Sequence, residues 1–190
     1  MCAGPRANLT WARRALLLSG ATYKGGHASS QVLETRDARG ATPALCAAAE
    51  AYRRPARRTS LLHCVAACVQ LGSPTPLAAE SHDGRPLIAL IAALGATDLL
   101  QQILLSARPG STSALLEARC RRGLTPLAFA TAHGMADCVR LLLAHGATAE
   151  AADGAGALPT DHALAGWAGV SPAGQGHAEC HALLTRHLVR

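Results

Sequence analysis

The sequence predicts an all-α chain, a helix-turn-helix solenoid of about four degenerate repeats, and three observations carry that expectation. Alanine fills 42 of the 190 positions and aromatics only 3%, so a core has to come from Leu, Ile, Val and Ala at close approach, which suits helices packed on helices. Glycines recur at 40, 84, 123 and 156, with spacings of 44, 39 and 33 residues. Between them run paired apolar stripes at helical spacing, and a helical hairpin carrying such a stripe needs stacked neighbours to cover it.

The clearest unit runs from Gly123-Leu124-Thr125-Pro126-Leu127-Ala128 through His133-Gly134, and then from Asp137-Cys138-Val139 to Leu142-Leu143 and Gly146-Ala147. Thr125 is placed to cap a helix whose first position accepts Pro126, because the amide hydrogen that proline lacks would be unpartnered there. Gly134 and Gly146 stand where helices end in left-handed conformations. Val139, Leu142 and Leu143 fall at i, i+3 and i+4 and form one stripe. This unit resembles an ankyrin repeat, in which a Gly turn precedes Thr-Pro-Leu-His, a second Gly separates two helices, and Leu-Leu and Gly-Ala close the second.

Weaker copies flank it. Asp37 to Pro43 opens one, with Cys64-Val65 and Cys68-Val69 before Gly72 as its second helix and an insertion near 51–59. Gly84 to Gly95 aligns without a gap on Gly123 to Gly134, and Asp98, Ile103 and Leu104 match Asp137, Leu142 and Leu143. Asp153 to Gly156 begins a fourth, with Pro159, an insertion near 168–175, and His177 to Leu184 as its second helix. A second register stays open, since Thr75-Pro76-Leu77-Ala78 also reads as a helix opening and Gly95-Ala96-Thr97 as a repeat end. The His of the family pattern is replaced by Ala128, Leu45 and Asp161, so the inter-turn hydrogen bonds of that residue are not expected from these positions, and stability should be modest.

The expected division is an N-terminal segment, 1–36, followed by a repeat domain, 37–190. Within the former, Arg14 to Thr22 resembles Arg140 to Thr148, so residues 9–22 read as the second helix of half a repeat; the absence of acids before Glu34 leaves a transit peptide as the competing reading of 1–33. The longest apolar run, Leu87 to Ala96, is too short to span a bilayer. Seven scattered cysteines suit a reducing compartment, and the chain is expected to be a cytoplasmic or nuclear monomer.

Catalysis is not expected. Gly154-Ala155-Gly156 lacks the third glycine and preceding strand of a dinucleotide fingerprint, and no phosphate loop or nucleophile elbow occurs. Cys64, Cys68 and His63, or His177, Cys180 and His181, lack the paired Cys-x2-Cys spacing of structural zinc, so neither metal nor cofactor is expected. The ankyrin resemblance implies instead a non-catalytic scaffold that binds another protein through its turn tips and the exposed positions of its first helices. Carried over by position, these are Arg39, His82, Asp83, Arg85, Arg121, Arg122 and Leu124 at the tips, with Leu94, Ala132 and His133 at helix ends. A row of guanidinium groups would favour an acidic or phosphorylated partner.

The net charge of +6 rests on 17 Arg and one Lys. Its densest run, Arg53-Arg54-Pro55-Ala56-Arg57-Arg58-Thr59-Ser60, admits three readings: a solvated loop, a nuclear-import or nucleic-acid patch, and a basophilic phosphorylation site at Ser60. The nucleic-acid reading is the alternative to the scaffold, though nearly absent aromatics leave little for base stacking.

Overall fold

Among the described residues, threonine followed by proline starts a helix twice, and both times by the same geometry. In the computed structural model, which describes residues 41–54, 56, 58–70, 84–107, 110–165 and 175–189, Thr42 and Thr125 are extended, and their hydroxyls accept from the amides of Leu45 (3.4 Å) and Ala128 (3.3 Å). Pro43 and Pro126 follow inside the first turn, where the missing donor costs nothing. The regular elements among the described residues are nine α-helices, and none is long and apolar enough to cross a membrane.

The chain divides into two compact units, Met1–His82 and Asp83–Arg190. In the first, α1 (Pro43–Arg53) packs on α2 (Arg58–Gln70). Alanine dominates the contact: Ala44, Leu45, Ala47, Ala48 and Ala51 are buried with Val65 and Cys68, so the two backbones approach closely. Helix α1 runs through Arg53, and the insertion expected near 51–59 is in part the last turn of that helix. Residues 1–40, with the half-repeat read at 9–22 and the transit peptide read at 1–33, and residues 166–174, with most of the insertion read near 168–175, lie outside the described residues.

The second unit holds α3 (Leu87–Leu94), α4 (Thr97–Ser106), α5 (Ser111–Leu116), α6 (Pro126–Ala132), α7 (Ala136–Ala144), α8 (Pro159–Ala165) and α9 (Gln175–Leu188). Contacts run in two rows. Helix α3 meets α6 and α6 meets α8, while α4 meets α7 and α7 meets α9; the pairs α3/α4, α6/α7 and α8/α9 also touch. Every residue of α3 and α6 is buried, as befits helices apolar around their circumference. Helix α4 is instead amphipathic, burying Leu99, Leu100, Ile103 and Leu104 while exposing Asp98, Gln101 and Gln102; α7 buries Ala136, Cys138, Val139 and Leu142.

Glycine sets the hairpin corners. Gly95 (φ 67°) separates α3 from α4, and Gly134 (φ 68°) separates α6 from α7. At each, paired hydrogen bonds close the helix end: Gly95 and Ala96 donate to Ala92 and Ile91, and Gly134 and Met135 donate to Thr131 and Ala130. This arrangement satisfies the last carbonyls and needs the left-handed residue that glycine supplies without a Cβ penalty.

Candidate functional site

The turns preceding the three helical pairs of the second unit lie against one another. Gly84, at φ 66°, is buried under the side chain of Arg121, whose Cδ would come within 2.8 Å of any Cβ added there. On the next turn, the Arg122 carbonyl accepts from Gly154 N at 2.9 Å, and a Cβ on Gly123 would collide with the backbone of Gly154. Close approach of backbones thus joins the turn at 120–123 to the turn at 153–156.

Two side chains strengthen that junction. Arg119 Nη1 donates to the carbonyl oxygens of Gly123 (3.1 Å) and Ala152 (2.6 Å), and Glu117 Oε1 accepts from Thr148 N at 3.0 Å. Sequence reasoning missed both residues, since Glu117 and Arg119 precede the turn and belong to no motif; the only signal was their opposite charges two residues apart beside a turn glycine.

Asp153 organises the third turn. Its Oδ1 accepts from the amides of Ala155 (2.8 Å) and Ala157 (2.9 Å), and its Oδ2 lies 3.1 Å from His162 Nε2. Burial opposes ionisation of this carboxyl, but the amides of Ala157 and Ala155 together with His162 outweigh it and hold Asp153 below its ordinary value. Asp161 accepts from Leu158 N at 2.8 Å and so closes the first turn of α8. One oxygen of Asp153 is thus committed to the turn and the other to His162 on α8.

The predicted surface residues divide into three groups. Arg121 and Arg122 are exposed on one turn, and Arg85 is half-buried on the turn before it. Arg39, His82 and Asp83 lie outside the described residues. Leu124 and His133 differ from the expectation of exposure. Leu124 is 1% exposed, a core side chain beside the extended Thr125 cap at the foot of the fully buried α6. His133, 7% exposed, donates from Nδ1 to the Phe129 carbonyl (2.8 Å) and lies along the Phe129 ring. Leu94 and Ala132, expected at helix ends facing a partner, are likewise buried, because α3 and α6 are covered on all sides. The exposed cationic edge is therefore made by the turns alone.

A further junction went unread. His177, buried at the start of α9, has Nε2 3.2 Å from the Ala132 carbonyl and lies over Gly134, while a Cβ on Gly176 would meet the Gly134 carbonyl oxygen. The Gly-His step at 176–177 thereby fits α9 onto the α6–α7 corner. Nearby, Arg140 bridges Asp137 (2.7 Å) and Glu179 (2.8 Å) across α7 and α9. In the first unit, Arg53 and Arg54 are exposed, Arg54 Nε lies 2.7 Å from Glu50, and Ser60 is the third residue of α2.

Among the described residues, no group of three or more His, Cys, Asp or Glu side chains is gathered as a metal site would need. No model of a known protein family matches the chain, and none of the curated proteins is detectably similar to it.

Proposed function

We propose that the chain is an ankyrin-type solenoid of degenerate repeats that binds another protein, without catalysis or a cofactor, through the arginine-bearing turns of its second unit. The observation that carries this reading is the contact of successive turns, with Gly84 beneath the Arg121 stem and Arg122–Gly123 against Gly154, which leaves Arg121 and Arg122 exposed one turn away from Arg85. The two rows of paired helices support the solenoid part of the reading, because each hairpin buries its apolar stripe against the next. A partner segment bearing carboxylates or phosphates would meet guanidinium forks suited to bidentate pairing.

The test compares the native chain with the Arg85→Glu, Arg121→Glu, Arg122→Glu form, after circular dichroism has shown equal helix content. Partners captured from nuclease-treated extract at physiological salt are then titrated directly against both forms. Saturable, stoichiometric binding that weakens by roughly tenfold or more on reversal is expected, a summed loss above about 1.4 kcal/mol. Equal affinity of the two forms, or loss of all captured material on nuclease treatment alone, overturns the reading.

A further inference from the structure

The end of α1, the start of α2 and the connection between them carry four arginines, Arg53, Arg54, Arg57 and Arg58, in six positions. The connection is short, because α1 ends at Arg53 and α2 begins at Arg58. Arg53, Arg54, Ala56 and Thr59 are exposed, and Arg58 is half-buried. Directly after this run comes Ser60, with guanidinium groups two and three residues before it in the order Arg57-Arg58-Thr59-Ser60. A serine hydroxyl at that distance from paired arginines has the spacing that an arginine-directed protein kinase reads with acidic side chains of its own, since each guanidinium presents a fork for a carboxylate.

The position gives the modification a consequence. Ser60 lies in the first turn of a thirteen-residue helix whose first turn contains no acidic residue. The amides of a first turn have no partner within the helix, and the dipole there favours negative charge. A phosphate carries about −1.5 to −2 charges at neutral pH, which would offset roughly half of the four arginine charges next to it.

We propose that Ser60 is a regulatory phosphorylation site for an arginine-directed serine/threonine kinase, and that its modification both stabilises the start of α2 and reduces the positive charge of the 53–58 segment. In the transfer, the Ser60 oxygen attacks the γ-phosphorus of ATP, the hydroxyl proton passes to the base of the kinase, the bond to the β-phosphate oxygen breaks, and ADP leaves. Ser60 then bears the phosphoryl group. Unwinding of the first helical turn, which helix ends allow at low cost, gives the kinase an extended acceptor.

The test uses the full chain with ATP and a cyclic-nucleotide-dependent kinase of arginine-directed specificity, the site being mapped by fragmentation mass spectrometry. Incorporation at Ser60 is expected, abolished in Ser60→Ala and slowed by roughly tenfold or more in the Arg57→Ala, Arg58→Ala form, the loss of one or two charge-assisted bonds to the kinase. Hydrogen exchange of the first α2 amides should slow by roughly two- to fivefold on modification. Phosphate on Thr59 instead, or a free peptide spanning 54–66 that is modified while the folded chain is not, overturns the site. Modification at Ser60 with unchanged exchange in α2 overturns the stabilisation.

Discussion

Arg119 Nη1 lies 2.6 Å from the carbonyl oxygen of Ala152 and 3.1 Å from that of Gly123, so a single guanidinium ties its own turn to the turn 33 residues later. The Arg122–Gly154 backbone bond and the Glu117–Thr148 bond join the same two segments. Replacing Arg119 by Ala should therefore cost about 1–2 kcal/mol, the range for exposed bonds from a charged donor. Urea unfolding would show a lower midpoint at unchanged slope; an unshifted midpoint would mean that the backbone contacts suffice.

Two glycines with positive φ separate backbone strain from close approach. Gly123 has φ 79° and faces the Gly154 backbone, whereas Gly146 has φ 89° and open space within 4 Å. Gly146→Ala should cost about 1 kcal/mol, the penalty of a left-handed L-residue alone. Gly123→Ala adds a collision that no side-chain rotation relieves, and the cost should exceed the first by about 1–3 kcal/mol. Thermal midpoints of the two variants measured side by side test the ordering, and equal shifts would remove the claim that the turns touch.

Asp153 makes the third turn sensitive to acid. Its folded pKa lies below the ordinary 3.8, so the fold favours the carboxylate. The stabilisation is fully present above that ordinary value and is lost as pH falls through the folded value, below both of which it vanishes. Asp153→Ala should cost about 1–3 kcal/mol at neutral pH, by leaving the Ala155 and Ala157 amides without their acceptor. The difference in unfolding free energy between native and variant chains should shrink from pH 5 toward pH 2; a difference constant over that span would assign the loss to packing alone.

The helices at 126–132 and 136–144, and their match at 87–94 and 97–106, were legible because Thr-Pro, paired glycines and apolar stripes are local signals with local causes. Where α1 ends was not, since Tyr52 and Arg53 continue a helix whose burial comes from α2, a partner the local pattern does not reveal. The candidate edge was half legible. Arg121 and Arg122 follow from their place beside a turn glycine, but the burial of Leu124 and the covering of α3 and α6 depend on neighbours distant in sequence. Arg119 and Glu117, and the contact that His177 makes with Ala132, were not legible for the same reason, because each acts on a carbonyl or amide more than 30 residues away.

Cysteine reactivity gives a separate check on how tightly α9 closes the second unit. Cys138 on α7 and Cys180 on α9 are fully buried, whereas Cys46 on α1 is partly exposed. Burial, with Glu179 and Cys138 adding to it, pushes the Cys180 thiol up to about 12. The thiolate is the nucleophile, so at pH 7 to 9 Cys180 has almost none of the reactive form, besides being shielded. Iodoacetamide should label the partly exposed Cys46 well ahead of Cys138 and Cys180, and raising the pH from 7 to 9 should leave Cys180 flat. Site-resolved mass spectrometry reads each rate. Should Cys180 react as fast as Cys46, α9 must open readily, and the contacts of His177 with Ala132 and of Glu179 with Arg140 would not hold it against α6 and α7.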